Sequence, residues 1–442
     1  MLYLRKWKIL RWIGIVVLSV LFGYIFFGVE SYVPVGRISH SSILIGNKIY
    51  YFGGITDVGA SDDAFYLDLS QSFDVVNPPW TQIPNIPFRS SWASVASDNS
   101  NNADIYLFGG IMFDVNIQKD SFKSFVYKFN INSLSWNIPT VSGTAPSRRI
   151  EMKAISDNSG KIYIFGGAAN SLVGAQTRTF FSDMITFDIA DSSWSINTAV
   201  NGRATYSATL LSNGIIVYVG GLEPFNGNND VVLIADISKI LLFDTNSLTW
   251  STKSAIIKAS VLVESRHAHS AVLAPNDQII IYGGTRSTVN DVDFNQASPD
   301  VLVLDTKKDL FEITAPNVST NIGKFPTLTA HTANLYGNYM IVAFGNITRQ
   351  NVITLYRNEK IYVMDIRNFT WVNSLDLSQA DNNKVSDSQS SNNDKTTIIL
   401  ASVLGILGGL LVLIGGFFVY RWINKRKREK DDPGFFGSNI DR

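Results

Sequence analysis

The sequence predicts an all-β protein, a propeller of six four-stranded blades, and three observations lead there. The hexapeptide Ile49-Tyr50-Tyr51-Phe52-Gly53-Gly54 returns at residues 105–110, 162–167, 216–221 and 279–284 and, degraded, at 341–346. The leading glycines of these copies lie 54 to 63 residues apart, a regular period of the kind that propellers and arrays carry. Two further marks keep their order between copies. A polar residue closes a third strand at Asp68, Asn130, Asp188, Asp244, Asp305 and Asp365, and an aromatic opens a fourth at Trp80, Trp136, Trp194, Trp250, Phe311 and Trp371.

Within the first repeat, residues 37–45 alternate like a half-buried strand and end at the turn dipeptide Gly46-Asn47. Residues 48–52 are continuously apolar, the pattern of a strand covered on both faces, and Gly53-Gly54 ends it. Residues 64–68 and a segment opening at Trp80 complete four strands, which is one blade. Each mark has a structural reason. The glycines permit positive φ and close backbone approach, the Trp fills space between blades, and the Asp accepts backbone N–H bonds in a tight turn.

At 442 residues the chain is long enough for two or three domains, yet a repeat running through its middle argues for one closed unit. Lys+Arg and Asp+Glu both number 37, which removes a global pull toward nucleic acid. The absence of cysteine excludes disulfides, thiolate zinc sites and cysteine nucleophiles, and four histidines supply little for acid–base or metal work.

The repeat region, residues 32–377, is flanked by segments of different character. Basic Arg5, Lys6, Lys8 and Arg11 precede an apolar run over residues 12–28, so residues 1–31 read as a signal peptide or an uncleaved signal-anchor. Residues 378–395 are a polar spacer. Residues 396–420, bounded by Thr396 and Tyr420, carry no charge over a length that spans a bilayer, and the basic run within residues 421–442 sets the cytosolic side. The expectation is a single-pass membrane protein, or two-pass if the first segment stays, with its propeller extracellular or lumenal. Gly405 and Gly409 have the spacing of a weak helix-dimer contact. Asn317, Asn346 and Asn368 open N-x-S/T sequons.

The Arg and His at the start of the first strand, the Gly-Gly doublet, the Tyr/Phe-x-Asp and the Trp together resemble the kelch-repeat β-propellers, over about residues 37–377. The resemblance implies the fold and says little about activity, because propellers host enzymes, receptors and scaffolds alike. Galactose oxidase, an enzyme of the wider superfamily, uses a tyrosine joined to a cysteine as part of a copper radical site, and a chain without cysteine cannot form it. The expectation is a binding protein with no cofactor and a protein or glycan partner; the alternative is a propeller-fold enzyme of unknown substrate.

Alternation of short and long connections sorts the loops onto two faces, and the long ones, residues 111–124, 168–182, 222–238, 285–299, 347–359, 251–265 and 312–327, mark the binding face. On it Phe113, Arg178, Phe225, Arg286, Phe294, Arg349, Tyr356 and Arg357 are of the types that anchor interfaces. Arg37, Arg89, Arg149, Arg203 and Arg266 open five blades, with Leu328 in the sixth. They offer a basic rim for an acidic peptide or anionic sugar, although bonding to carbonyls or an acid of the adjacent blade is the plainer role. His40, His269 and His331 share one register. Packing between blades is expected for them over a metal site, since equivalents in one ring do not converge on one atom; His267 lies on the strand face of His269.

Overall fold

The computed structural model describes residues 32–379 except 99–102, 115–118, 121–123, 199, 289–294, 321–322, 324 and 349–355. The signal or anchor segment, nearly all of the polar spacer, the apolar stretch from 396 to 420, its glycine pair and the basic tail lie outside the described residues. No helix among the described residues is long and apolar enough to cross a membrane.

The described residues form an all-β, propeller-like array. Strands gather into six antiparallel four-stranded meanders, here sheets 1 to 6, whose first strands are Ser41–Ile45, Ser94–Ser97, Ala154–Ser156, Ser207–Leu210, Ser270–Leu273 and Thr332–Tyr336. The third strands end on the six polar residues expected, and the expected aromatics lie in the fourth. Second strands such as Lys48–Phe52 and Gln278–Tyr282 bury every residue after the first, because both of their faces meet neighbouring sheets. Asp68, Asn130, Asp188, Asp244, Asp305 and Asp365 each accept the backbone N–H two residues on, so the series is turn chemistry.

Each seam between sheets repeats one contact. The fourth-strand aromatic packs on the aromatic that precedes the glycine doublet of the sheet before it: Trp136 on Phe52 at 5.4 Å, Trp194 on Phe108 at 6.0 Å, Trp250 on Phe165 at 4.7 Å and Trp371 on Tyr282 at 5.1 Å between ring centroids. Phe311 packs in the same apolar cluster as Val219. Trp80 of sheet 1 then stacks on Phe344 of sheet 6 at 5.8 Å.

Two head-to-tail rings of backbone hydrogen bonds run through all six sheets. In the inner ring, the N–H groups of Ser39, Trp92, Thr205, Ala268 and Ala330 each donate, at 2.8 to 2.9 Å, to the carbonyl of the corresponding residue one sheet back, and Glu151 donates to Trp92 at 3.3 Å. All six residues have φ between 51° and 63°, a strained choice for side chains with a Cβ, tolerated where neighbouring structure over-determines it. In the outer ring, Gly54, Gly110, Gly167, Gly221, Gly284 and Gly345 donate to the carbonyls of Ser90, Arg149, Arg203, Arg266, Leu328 and Arg37. The approach is close enough to demand glycine: a Cβ on Gly53 would lie 2.3 Å from the Ser90 carbonyl oxygen.

The rings correct several sequence readings. The first strands begin after the Arg and His, which lie in the extended approach that carries the inner ring. In sheet 2 the slot held elsewhere by arginine belongs to Ser90, not Arg89. In sheet 6 the doublet is Phe344-Gly345, not Gly345-Asn346, with φ values of 59° and 94° that match the glycine pairs. Some long loops are built hairpins, Leu222–Phe225 with Asn228–Ile234 being the largest, and Thr249–Ile257 runs on as strand to pair in parallel with Phe311–Thr314. The extra pairing that joins sheet 6 to sheet 1 is Ser374–Leu375 with Phe73–Asp74; Tyr32 contributes packing on Phe65 at 5.4 Å and no strand.

Candidate functional site

The six first strands surround an axial tunnel. Its upper part, at the long-loop side, is lined by the inner-ring residues and their successors. Below lies a chamber of about 200 Å³ whose wall is rich in hydroxyls.

Counting from the inner ring gives each position a job. The residue after it is His40, Ala93, Met152, Tyr206, His269 or His331, and the side chains of Met152, His269 and His331 reach back to the glycine doublet of the preceding sheet. The next is Ser41, Ser94, Lys153, Ser207, Ser270 or Thr332, a hydroxyl in five sheets and a lysine in the third. The histidines join the two series. His40 Nε2 bonds Thr332 Oγ1 at 2.8 Å, His269 Nε2 bonds Ser207 Oγ at 2.9 Å and His331 Nε2 bonds Ser270 Oγ at 2.7 Å. Each is a clasp between consecutive sheets, further held by ring contacts such as His40 on Phe344 and His331 on Tyr282. Burial pushes all three imidazoles well below their ordinary range, His331 to about 3, so they are neutral. No group of His, Asp and Glu among the described residues has the arrangement of a metal site.

Glu151 and Lys153 break the repeat. Glu151 occupies the inner ring with one carboxylate oxygen buried and without a hydrogen-bond partner, and burial raises its pKa against the lowering effect of Arg178. Lys153, two residues on, lines both the upper tunnel and the chamber. Its side chain is exposed to the water of the tunnel, the surrounding protein pushes its pKa down, and no ion pair holds it among the described residues. Neither residue was picked out from the sequence. The signal was a lysine where the other five repeats carry a hydroxyl, visible only once the register is known.

Arg37, Arg149 and Arg266 are fully buried, which removes them from any basic rim. Each spends its guanidinium inside its own sheet rather than on the adjacent one. Arg37 donates to the Gly53 carbonyl at 2.9 Å and to Asp63 at 2.8 Å, Arg149 to the Gly166 carbonyl at 3.0 Å and to Asp183, and Arg266 to the Gly283 carbonyl at 3.0 Å. In sheet 5 the matching acid, Asp300, accepts from Thr327 instead; Arg266 Nη2 is left unpartnered, and burial lowers its pKa to about 10. Arg203 pairs with Glu223 at 3.0 Å, and Arg89 is exposed.

On the long-loop face Arg178 lies over the Phe180 ring and bears on both Glu151 and His267, which places it at the tunnel mouth. Arg286 pairs with Glu264 at 3.4 Å, and Arg357 pairs with Asp57. Tyr356 is exposed, Phe113 is half-buried in a short strand, and Phe225 is exposed at the tip of the sheet 4 hairpin beside exposed Val231 and Leu233. Phe294 and Arg349 lie outside the described residues. Of the sequons, Asn317 and Asn368 are exposed, whereas Asn346 is buried with its Oδ1 accepting from Tyr356 N–H, so the folded chain does not present it for glycosylation.

The profile of the Attractin/LZTR1 beta-propeller family matches residues 26–291. Kelch domain-containing protein 3 of Rattus norvegicus is 27% identical over 274 residues, covering 58% of this chain and 65% of its own. Host cell factor 2 of Homo sapiens is 24% identical over 304 residues, covering 62% of this chain and 36% of its own. The chain thus spans less than two thirds of the length of these relatives. A solved structure titled "Structure of YjhT" superposes with a TM-score of 0.53 over 77% of this chain and 98% of the other, at 15% identity, a likeness of fold alone.

Proposed function

Since this chain belongs to the Attractin/LZTR1 beta-propeller family, we propose that it is a kelch-type interaction module, a closed six-bladed ring that holds a protein partner on its long-loop face. The observation that carries the reading is the sheet 4 hairpin, where Phe225, Val231 and Leu233 stand exposed by 42 to 48% on a two-stranded projection above a rigid disc. Arg178, Arg286 and Arg357, carried by other long loops, are groups suited to the polar rim of an interface. In the tunnel the three histidines are each committed to a hydroxyl of the neighbouring sheet, which favours binding over catalysis.

We further propose that the flanking apolar segments tether the ring to a membrane, with the long-loop face extracellular or lumenal and Asn317 and Asn368 glycosylated. The partner reading is tested by cross-linking the intact chain on cells and comparing it with a Phe225→Ser, Val231→Ser, Leu233→Ser variant of equal melting midpoint. A specific adduct lost only in the variant supports it, and an unchanged adduct pattern sinks it. Protease added outside intact cells should digest the propeller; complete protection with no glycan would reverse the topology.

A further inference from the structure

We propose that the chamber beneath the inner ring is a binding site for one small inorganic oxyanion, of phosphate or sulfate type, held by the Lys153 ammonium and the hydroxyls of Ser42 and Ser94 on the chamber wall. The inference stands apart from the partner reading, since the chamber lies inside the ring and not on the long-loop face.

Charge balance is the first argument. Among the residues lining the chamber there is one cation, Lys153, and no carboxylate; Glu151 sits one level higher, in the ring. The Lys153 ammonium stands open to the water of the tunnel, so an anion entering the chamber meets one cation and no competing carboxylate.

The second argument is the donor inventory. Ser94 Oγ accepts from Ala154 N–H at 2.8 Å and Ser42 Oγ accepts from Asn334 Nδ2 at 2.8 Å, so the proton of each hydroxyl remains to be given. Ser41 gives its proton to the Ala93 carbonyl, and Ser207, Ser270 and Thr332 share theirs with histidines. Two hydroxyl donors and a three-donor ammonium face one cavity, a set that suits the several acceptor oxygens of an oxyanion. Size is the third argument: about 200 Å³ accommodates such an ion with a few waters.

The test is equilibrium dialysis of the intact chain against radiolabelled inorganic phosphate at fixed ionic strength, with unlabelled sulfate as competitor. The wild type should hold phosphate saturably and release it to sulfate, while Lys153→Met should lose about tenfold or more in affinity, the worth of one charge-assisted contact. Lys153→Arg should retain binding and Ser94→Ala should weaken it, which keeps the question answerable if Lys153→Met fails to fold. No saturable binding by wild type, or equal binding by Lys153→Met, overturns the proposal, as does displacement by chloride as readily as by sulfate.

Discussion

Five of the seams join sheets that follow one another in the chain, and the sixth joins sheet 6 to sheet 1 across nearly the whole sequence. Most of the devices are the same: Trp80 on Phe344 does the work of Trp250 on Phe165, although Phe344 lies one residue later in its repeat, His40 on Thr332 matches His331 on Ser270, and both backbone rings pass through without a break. The closing seam differs in two respects. Phe344 stands where the other sheets have glycine, and the ladder across the joint, Ser374–Leu375 with Phe73–Asp74, is antiparallel where the one between sheets 4 and 5 is parallel. Chain connectivity therefore supplies little of the holding force at any seam, and the one seam without it carries the larger apolar side chain beside a short ladder of its own.

The severest way to break that equivalence is to remove a sheet. Deleting residues 329–377 exposes two sheet faces and opens both rings, so cooperative melting should disappear altogether; a five-sheet remainder that melts in one sharp transition would show that the seams are independent. Next in size are the aromatics. Trp80→Ala and Trp250→Ala should each cost about 3–5 kcal/mol in denaturant unfolding, and a markedly smaller loss for Trp80 would mean that Ser374–Leu375 carries the closing seam. Gly220→Ala places a Cβ 2.4 Å from the Arg266 carbonyl oxygen at a positive φ and should cost about 2 kcal/mol or more, against about 1 kcal/mol for Gly46→Ala, whose Cβ meets nothing within 4 Å.

Acid probes the clasps. The folded pKa values of His40 and His331 are depressed by burial, so the stability they contribute is present above the ordinary value of 6.5 and is lost as pH falls, for His331 down to about 3. Glu151, whose folded pKa is raised, acts in the opposite sense, favouring the folded state at low pH and disfavouring it as pH rises through its folded pKa. With several histidines against one glutamate, the thermal midpoint should fall from pH 6.5 toward pH 4. His40→Gln and His331→Gln should each flatten that slope by about 1 kcal/mol or more, and equally if the two seams are alike. The smallest effect is expected from Arg357→Ala, which removes a pair with the exposed Asp57 across the closing seam and should cost under about 1 kcal/mol, vanishing in high salt.

The fold was legible because each of its marks answers a local need repeated six times. The Asp of Asp244-Thr245-Asn246 shows its turn role in three consecutive residues, and the apolar run of Ile279 to Tyr282 shows two buried faces. Register was less legible. Arg89 looks like a blade-opening arginine, and only the bond from Gly54 N–H shows that Ser90 holds the slot; Gly345-Asn346 looks like a worn glycine pair, and only the φ of Phe344 shows that the pair begins one residue earlier. The candidate sites were hardest to see, since a tunnel wall takes one residue from each of six segments more than 50 residues apart. Glu151 and Lys153 are ordinary surface types by composition and acquire meaning only from the ring that encloses them.

The strand Ser374–Leu375 has a mechanical consequence. Tyr32 and Leu377, near the two limits of the described chain, pack into the same apolar cluster beside this strand, and Leu377 N–H is bonded to Ser72 at 3.0 Å. Tension applied between the two ends would thus load the closing joint first, where the short ladder acts together with the Trp80–Phe344 stack, the His40–Thr332 clasp and both backbone rings. The joint of first yield is the one beside which Tyr32 and Leu377 both pack.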